Sequence, residues 1–251
     1  MTNEQHFAFL MRLADDHLIL GHRLSEWCGH APILEEDLAM PNMALDLIGQ
    51  ARSLYSHAGA IEGKGRSEDD LAFVRREREY RNCLLVERPN GDFAHTMLKQ
   101  LYFAAYMEPF WRACLTSSDE TLAAIAAKAI KEVAYHIRHC GEWVIRLGDG
   151  TQESAERMKA AVDALHGYTH ELFETDALTD AVAAAGIAPD PASLKREFLH
   201  ILGPIFAEAG LDIPGDAIAP RGGRSGIHGE EMGHLLAELQ YMQRAYPGAQ
   251  W

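Results

Sequence analysis

The 251-residue sequence predicts an all-α fold, with a four-helix core and additional helices around it. Apolar residues recur in steps of three and four along several long segments, as they do on the buried stripe of a helix. The clearest stripe consists of Leu10, Leu13, His17, Leu20, Leu24 and Trp27. No segment alternates apolar and polar residues convincingly enough to indicate a strand. Glycine and proline separate the periodic segments by short turns, which favours antiparallel helices packed as a bundle.

The first helix carries this stripe and is predicted to end near Gly29. Pro32 suits the first turn of a second helix, because its missing N–H would have no partner there. That second helix extends to about Tyr55, and Pro41 inside it predicts a kink.

Ser67 is the predicted N-cap of a third helix that extends to about residue 86. A Pro-Asn-Gly turn follows, and Asp92 is the predicted N-cap of a fourth helix. The fourth helix extends to about Leu115, and Pro109 predicts a second kink.

The rest of the chain contains two long helices, an irregular segment and a last helix. Ser117 and Glu120 have capping-box spacing before the fifth helix, which ends at the glycines of 148–150. The remaining predicted elements are a sixth helix over about 151–178, a proline-rich and glycine-rich segment over 186–229, a short helix within it at about 191–210, and a C-terminal helix over 230–246.

The composition disfavours several classes of function. A formal net charge of −14, from 23 basic and 37 acidic side chains, argues against nucleic acids and anionic membranes as partners. No apolar run reaches the roughly 18 residues that span a bilayer, and the N-terminus lacks a signal-peptide pattern. We therefore expect a cytoplasmic protein. The cysteines form no C-x-x-C pair and are predicted to be free core thiols: Cys28, Cys83, Cys114 and Cys140.

A helical bundle can hold two irons between one carboxylate from each of two helices and a Glu-x-x-His pair from each of the other two. The best matches to that pair are Asp46 to Gly49 on the second helix and Glu132 to Tyr135 on the fifth. In both, the carboxylate is present and the histidine is missing. His136 is adjacent, but it is rotated by about 100° from the required position.

The surviving acids allow two interpretations. With Asp16 of the first helix as a third carboxylate, they could form a metal site with unusual ligands. The favoured interpretation is a relic of such a site without metal. Buried carboxylates must be paired or protonated, so Arg52 or a protonated His136 is then expected to balance the charge of Asp46 and Glu132.

Other patterns are interpreted as non-functional. Glu-x-x-His strings at 197–200 and 231–234 are expected on the surface, and His166 and His170 on a solvated helix face. The basic glycine-rich loop 221–226 could cradle an anion, but it lacks the spacing of a phosphate loop and is interpreted as a flexible connector. Four aromatic residues could anchor a partner, although each is expected in the core: Trp27, Tyr55, Trp111 and Trp143.

Strings spread over essentially the whole chain resemble one known family. They are LSEWCGHAP (24–32), Asn42 with LDLIGQAR (45–52), LLVERPNGDF (84–93), AAKAIKE (126–132) with Tyr135 and His136, LAELQYMQR (236–244), and the terminal Pro247, Gly248 and Trp251. On these strings the protein closely resembles the C subunits of phenylacetyl-CoA epoxidase, the phenylacetate-degradation oxygenase.

The resemblance implies a ferritin-like fold, which we expect as a single domain over 1–251 with core helices at about 4–180. It also implies a structural subunit without a cofactor of its own, inactive alone, that pairs tightly with a related di-iron catalytic subunit. In this family a reductase supplies electrons from NADPH, and the assembled enzyme inserts one oxygen atom from O₂ into the ring of phenylacetyl-CoA. The resemblance transfers no catalytic, cofactor-binding or metal-binding residue to this chain.

Two other functions remain as alternatives. The chain could be an independent di-iron oxygenase with irregular ligands such as Asp16, Asp46, Glu132 and His136, although the missing histidines count against this. It could also be a ferritin-like storage or binding protein that assembles with itself, although no repeating metal site is visible. Self-association of the isolated chain is compatible with each interpretation.

Overall fold

The computed structural model describes residues 1–215 and 219–249. Within these ranges the chain is predominantly helical and contains no strand, which confirms the predicted all-α class. None of the described helices combines the length and the apolar character needed to cross a membrane. The terminal Trp251, which contributes to the family resemblance, lies outside the described residues.

The α-helices follow one another in the order α1 (Asn3–Ser25), α2 (Leu34–Glu62), α3 (Glu68–Phe73), α4 (Leu84–Glu87), α5 (Phe93–Cys114), α6 (Glu120–Gly148), α7 (Gln152–Leu165), α8 (Ala177–Ala184), α9 (Lys195–Glu208), α10 (Glu230–Leu239) and α11 (Tyr241–Ala245). The chain forms two compact units, the first made of residues 1–89 and 221–251 and the second of residues 90–220. The single-domain arrangement over 1–251 stays a prediction.

Helices α1 and α2 form the core of the first unit. A capping box starts α1: the Thr2 hydroxyl accepts from the Gln5 N–H at 3.2 Å, and the Gln5 side chain accepts from the Thr2 N–H at 2.9 Å. Helix α2 continues through Pro41 and ends at Gly63, whose φ of 69° is the left-handed conformation that glycine adopts freely. Gly21 allows the two helices to approach closely, because a Cβ there would lie 2.9 Å from Ile48.

The third predicted helix is wrong beyond residue 73. Only α3 forms, with the predicted Ser67 as its N-cap, and a short 3-10 helix (Glu77–Glu79) and α4 replace the remainder. The reason lies outside the segment itself. Carboxylates of α1 bind the backbone N–H groups of Arg81 and Cys83, so these donors serve tertiary contacts instead of a helical ladder.

In the second unit, α5 and α6 pack together and α7 and α9 cover them. Asp92 caps α5 as predicted, with its carboxylate accepting from the His95 N–H at 3.0 Å. The N-cap of α6 is Asp119, whose carboxylate accepts from two backbone N–H groups. Ser117, the predicted cap, instead donates to the Ile187 carbonyl at 2.6 Å.

Two predicted helices are interrupted. The sixth ends at Leu165, continues as a 3-10 helix (His166–Phe173) and resumes as α8 behind an Asp176 cap. The C-terminal helix is divided into α10 and α11 at Gln240. The Gln240 side chain donates to the Tyr80 hydroxyl at 2.8 Å and to a backbone carbonyl, which fixes this point of the chain. The helix expected at about 191–210 is confirmed as a 3-10 turn (Pro191–Leu194) followed by α9.

Most of the predicted core residues are buried. Cys83, Cys114 and Cys140 are free and buried, whereas Cys28 is exposed just after α1, so the prediction of a core thiol is wrong for Cys28. Among the aromatic residues considered as anchors, Tyr55 and Trp111 are fully buried, and Trp27 and Trp143 are half-buried.

Candidate functional site

On α2, the predicted pair Asp46 and Gly49 does not occupy the buried face. The centre of that face consists of Met43, Leu47, Gln50 and Leu54, while Asp46 and Gly49 are half-buried. At 100° per residue, Gly49 is rotated by about 160° from Leu47. The register predicted from the Asp-x-x-Gly string is therefore wrong. From Met40 to Gly59, the buried residues of α2 include neither a carboxylate nor a histidine.

On α6, the buried face has a histidine and lacks the carboxylate, which is the reverse of the predicted pair. His136 is fully buried, and the buried residue three positions before it is Val133. Glu132 instead forms an ion pair with Lys128 at 3.2 Å, and Tyr135 is half-buried on the same flank. His136 therefore lies in the interior, whereas Glu132, the acid expected to be buried beside it, lies on the flank. In the buried register the histidine is present, and valine stands where a carboxylate would be needed.

Within the second unit, the partner of His136 comes from α5. The side-chain nitrogen of Gln100 lies 3.1 Å from Nδ1 of His136, and both residues are fully buried. One residue earlier on α5, the buried Lys99 ammonium donates to Asn90 at 3.1 Å. Along α5 and α6, the buried faces therefore present an amine, an amide and an imidazole, and no described carboxylate is buried on either helix.

Helix α1 supplies two buried carboxylates of the first unit, Asp15 and Asp16. Asp16 is 2% exposed, and its oxygens accept from the Cys83 N–H at 2.7 Å and from the Arg224 guanidinium at 2.8 and 2.9 Å. Arg224 lies in the loop that was interpreted as a flexible connector, and that interpretation is wrong. Gly223 fits so closely that a Cβ would lie 2.2 Å from the Asn82 carbonyl oxygen. This loop is an anchored part of the first unit.

Asp15, the neighbour of Asp16, is the centre of a second buried network. It accepts from the Tyr55 hydroxyl at 2.5 Å, from the Arg81 N–H at 2.7 Å and from the Arg75 guanidinium. The Arg75 guanidinium also lies over the Tyr80 ring, 4.0 Å from its centroid. Burial raises the pKa of Tyr55 well above its ordinary value, and the Asp15 charge raises it further. The Tyr55 hydroxyl therefore stays protonated and donates to Asp15.

A third buried acid, Glu87, binds the segment that precedes α10. Its carboxylate lies 2.7 Å from Nδ1 of His228 and accepts from the Gly229 N–H at 2.6 Å and from Asn82 at 2.9 Å. The Glu87 backbone carbonyl accepts two bonds from Arg23 of α1. Asp15, Asp16 and Glu87 thus each have a cationic or N–H partner within the first unit.

The predicted relic positions, and the described buried residues around them, do not fit a di-iron centre. Such a centre needs several unpaired carboxylates and two histidines that converge from four helices. Here Asp15 and Asp16 bind guanidinium groups, α6 has Val133 where a carboxylate would stand, and the only described buried carboxylate of α2 is Glu36 in its first turn. The charge-balancing role predicted for Arg52 is also wrong, because Arg52 is 74% exposed and pairs with Glu68. Arg224 and Arg75 neutralise buried acids instead.

The other predicted positions are spread over the chain. In the two Glu-x-x-His strings, His200 and His234 are exposed, as expected. His166 is buried and lies 3.2 Å from the Tyr102 hydroxyl, so its placement on a solvated face is wrong. Sequence patterns alone did not identify Arg75, Glu87 or His228. The sequence offered one signal near them. The run of charged residues RREREYR (75–81) lies between two apolar segments, where charged side chains would need partners.

The His228–Glu87 pair predicts a pH-dependent stability. Burial alone would lower the pKa of His228, but the Glu87 carboxylate more than offsets this, so the pKa lies above its ordinary value. The protonated pair therefore stabilises the fold below about pH 6.5, and that stabilisation is lost as the pH rises through the folded-state pKa. The loss amounts to roughly 1.4 kcal/mol for each unit by which the pKa is raised.

Urea unfolding from pH 6 to 9 tests this expectation. The difference in unfolding free energy between the wild type and a His228→Gln variant should be largest at pH 6 and shrink towards pH 9. His30→Gln, at an exposed position, is the matched control. A pH-independent difference would show that folding does not raise the pKa of His228.

Known proteins with similar sequences place these observations in a family. The family described as "Phenylacetic acid catabolic protein" matches residues 1–251. A relative from Escherichia coli (strain K12), the C subunit of 1,2-phenylacetyl-CoA epoxidase, is 46% identical over 244 residues, which cover 97% of this chain and 98% of the relative. These matches confirm the resemblance inferred from the sequence strings and, together with the all-helical structure, the ferritin-like fold class. The chain belongs to the phenylacetic acid catabolic protein family.

Proposed function

We propose that this chain is the structural subunit of a multicomponent oxygenase that epoxidises the aromatic ring of phenylacetyl-CoA. In this role it holds no iron itself, and it pairs with and stabilises a related di-iron catalytic subunit in the cytoplasm. The relative at 46% identity supports this assignment, because it is the C subunit of such an epoxidase.

The observation that carries the non-catalytic role is the engagement of the buried acids. Both oxygens of Asp16 accept bonds from Arg224, and a third bond comes from a backbone N–H. A divalent or trivalent metal would have to displace a guanidinium and leave it buried without a partner, which costs several kcal/mol. His136 has a neighbouring amide and a valine where a ligand carboxylate would be needed.

Iron content and turnover of the separate and combined subunits test this proposal. After expression in iron-replete medium, the chain purified alone should contain negligible iron and show no oxygen uptake with the reductase, NADPH and phenylacetyl-CoA. Adding the related di-iron subunit to this mixture should produce oxygen uptake and epoxide formation. About two irons per chain, together with turnover of the isolated chain, would contradict the proposal and favour an independent oxygenase.

The same assay distinguishes a chain that stabilises the catalytic subunit from a chain that has no effect on it. The catalytic subunit alone is expected to be less stable, or less active, than the combined pair. Equal activity and equal thermal stability of the catalytic subunit with and without this chain would remove the stabilising function.

A further inference from the structure

The N-cap and the N-terminal half of α2 expose a row of large apolar side chains, which we name the α2 strip: Ile33, Leu34, Leu38 and Leu45. Their exposed fractions are 47%, 69%, 59% and 66%. Counting 100° per residue from Leu34, the two other leucines lie within about 40° of it, so the three form one line along the helix. A line of this kind is the ridge that packs into the groove of another helix.

Exposure of this extent needs an explanation. Single exposed leucines are normal on a protein surface, but a contiguous aligned set of them is a candidate binding surface. Towards the C-terminus, the exposed line of α2 continues with Arg52 and Ser56. From Ile33 to Ser56 it is about 35 Å long, at 1.5 Å per residue. With the side chains that border it, a strip of that length can supply much of the roughly 800 Å² that each partner buries in a stable interface.

The charges beside the strip indicate what kind of partner it accepts. Glu35 and Asp46 lie on the same flank, at about 100° and 120° from Leu34. If two copies of this chain paired antiparallel through their strips, Glu35 of one copy would lie beside Asp46 of the other. Such like-charge contacts oppose binding, in addition to the net charge of −14 on each copy. A different chain with a basic side chain at this flank has no such penalty.

We propose that the α2 strip is the surface that docks the related catalytic subunit, through a helix with an apolar face and a Lys or Arg that meets the Glu35–Asp46 flank. This inference rests on the proposed function, and it adds the face and the chemistry of the contact. The fully buried Tyr55 and Trp111 cannot provide this contact, and the exposed leucines of the α2 strip are its proposed anchors.

The central test is a double substitution, Leu38→Glu with Leu45→Glu, in the full-length chain. Both side chains are exposed, so the helical circular dichroism and melting temperature should change little. The affinity for the di-iron subunit, measured by titration calorimetry, should fall at least about 100-fold, because a charge then enters the apolar centre of the interface. Leu199→Glu, an exposed leucine of α9, is the matched control and should bind like the wild type.

A second variant tests the charge of the partner. Glu35→Lys should weaken binding about 10-fold at low salt, and the effect should shrink at high salt, since exposed charges are screened. Glu230→Lys, an exposed first-turn acid of α10, is its control. Unchanged or tighter binding of Glu35→Lys would overturn the assignment of a basic group opposite this flank.

The outcomes of these experiments distinguish a failure of this inference from a failure of the proposed function. If the wild type binds the catalytic subunit and the double variant binds it equally well, the α2 strip is not the docking surface, although the proposed function stands. If the double substitution instead converts a dimer of the isolated chain into a monomer and leaves the complex intact, the strip belongs to a second copy and the proposal is overturned. If the wild type itself does not bind the catalytic subunit, the proposed function fails first.

Discussion

Replacing Arg75 with methionine is expected to destabilise the protein by about 3–5 kcal/mol, the usual cost of removing one partner from a buried ion pair. Asp15 is fully buried, and Arg75 supplies two of the hydrogen bonds that its carboxylate accepts. Methionine fills a similar volume but leaves the carboxylate with only the Tyr55 hydroxyl and the Arg81 N–H. For a chain of this length, the melting temperature should fall by roughly 10 °C.

Thermal unfolding followed by far-ultraviolet circular dichroism measures this effect. Arg52→Met is the matched control, because Arg52 also forms an ion pair, with Glu68 at 3.1 Å, but is 74% exposed. Exposed pairs contribute about 1 kcal/mol or less, so the control should unfold close to the wild type. Equal melting temperatures for the two variants would show that the Asp15 network contributes little to stability.

The helices were largely predictable because their signals are local. The apolar stripe of α1 and the caps at Ser67 and Asp92 are readable within a few residues of sequence. The prediction of the third helix was wrong because its decisive contacts are not local. Residues 75–83 have helix-compatible composition, but Asp15 and Asp16 bind their backbone donors from more than 60 residues away. No local pattern reports such a contact.

The predicted relic site shows that the spacing of a motif does not predict which helix face is buried. Glu-x-x-His spacing specifies that two side chains share a helix face, but it does not specify which face is buried. On α6, the acid identified from the sequence, Glu132, lies on the flank, while His136 lies in the buried register next to Gln100. Neighbouring registers differ by only one residue, so the burial of Val133 was needed to distinguish them.

Arg224 makes a long-range contact within the first unit, because it binds Asp16 across 208 residues of sequence. Arg224→Met should cost about 3 kcal/mol, slightly less than the deeper Arg75 substitution, since the Arg224 side chain is 15% exposed. In a double-mutant cycle with Asp16→Asn, the two effects should not add. Asparagine carries no charge for Arg224 to neutralise, so a coupling of about 1–3 kcal/mol is expected.

The pH dependence distinguishes neutralisation of charge from simple packing. Burial raises the pKa of Asp16, and Arg224 opposes that rise. A raised carboxylate pKa means that the folded state binds the proton more tightly, so the free energy of unfolding falls as the pH rises from about 3.8 through the folded-state value. Without Arg224 the pKa should rise further, and the loss of stability between pH 4 and pH 7 should be steeper in Arg224→Met than in the wild type. The Asp16→Asn background should abolish this difference.

A metal centre connects separate helices through shared ligands, and the Asp16–Arg224 pair makes a comparable connection with side chains alone. It joins α1 to a loop near the C-terminus, and the same α1 carboxylate holds the Cys83 N–H. If the cycle gives strong coupling and the pH dependence disappears with Asp16→Asn, the arginine performs a charge-balancing task that a metal performs in a catalytic bundle. Additive effects without pH dependence would mean that Arg224 only packs against α1, and the buried acid would then have to be protonated.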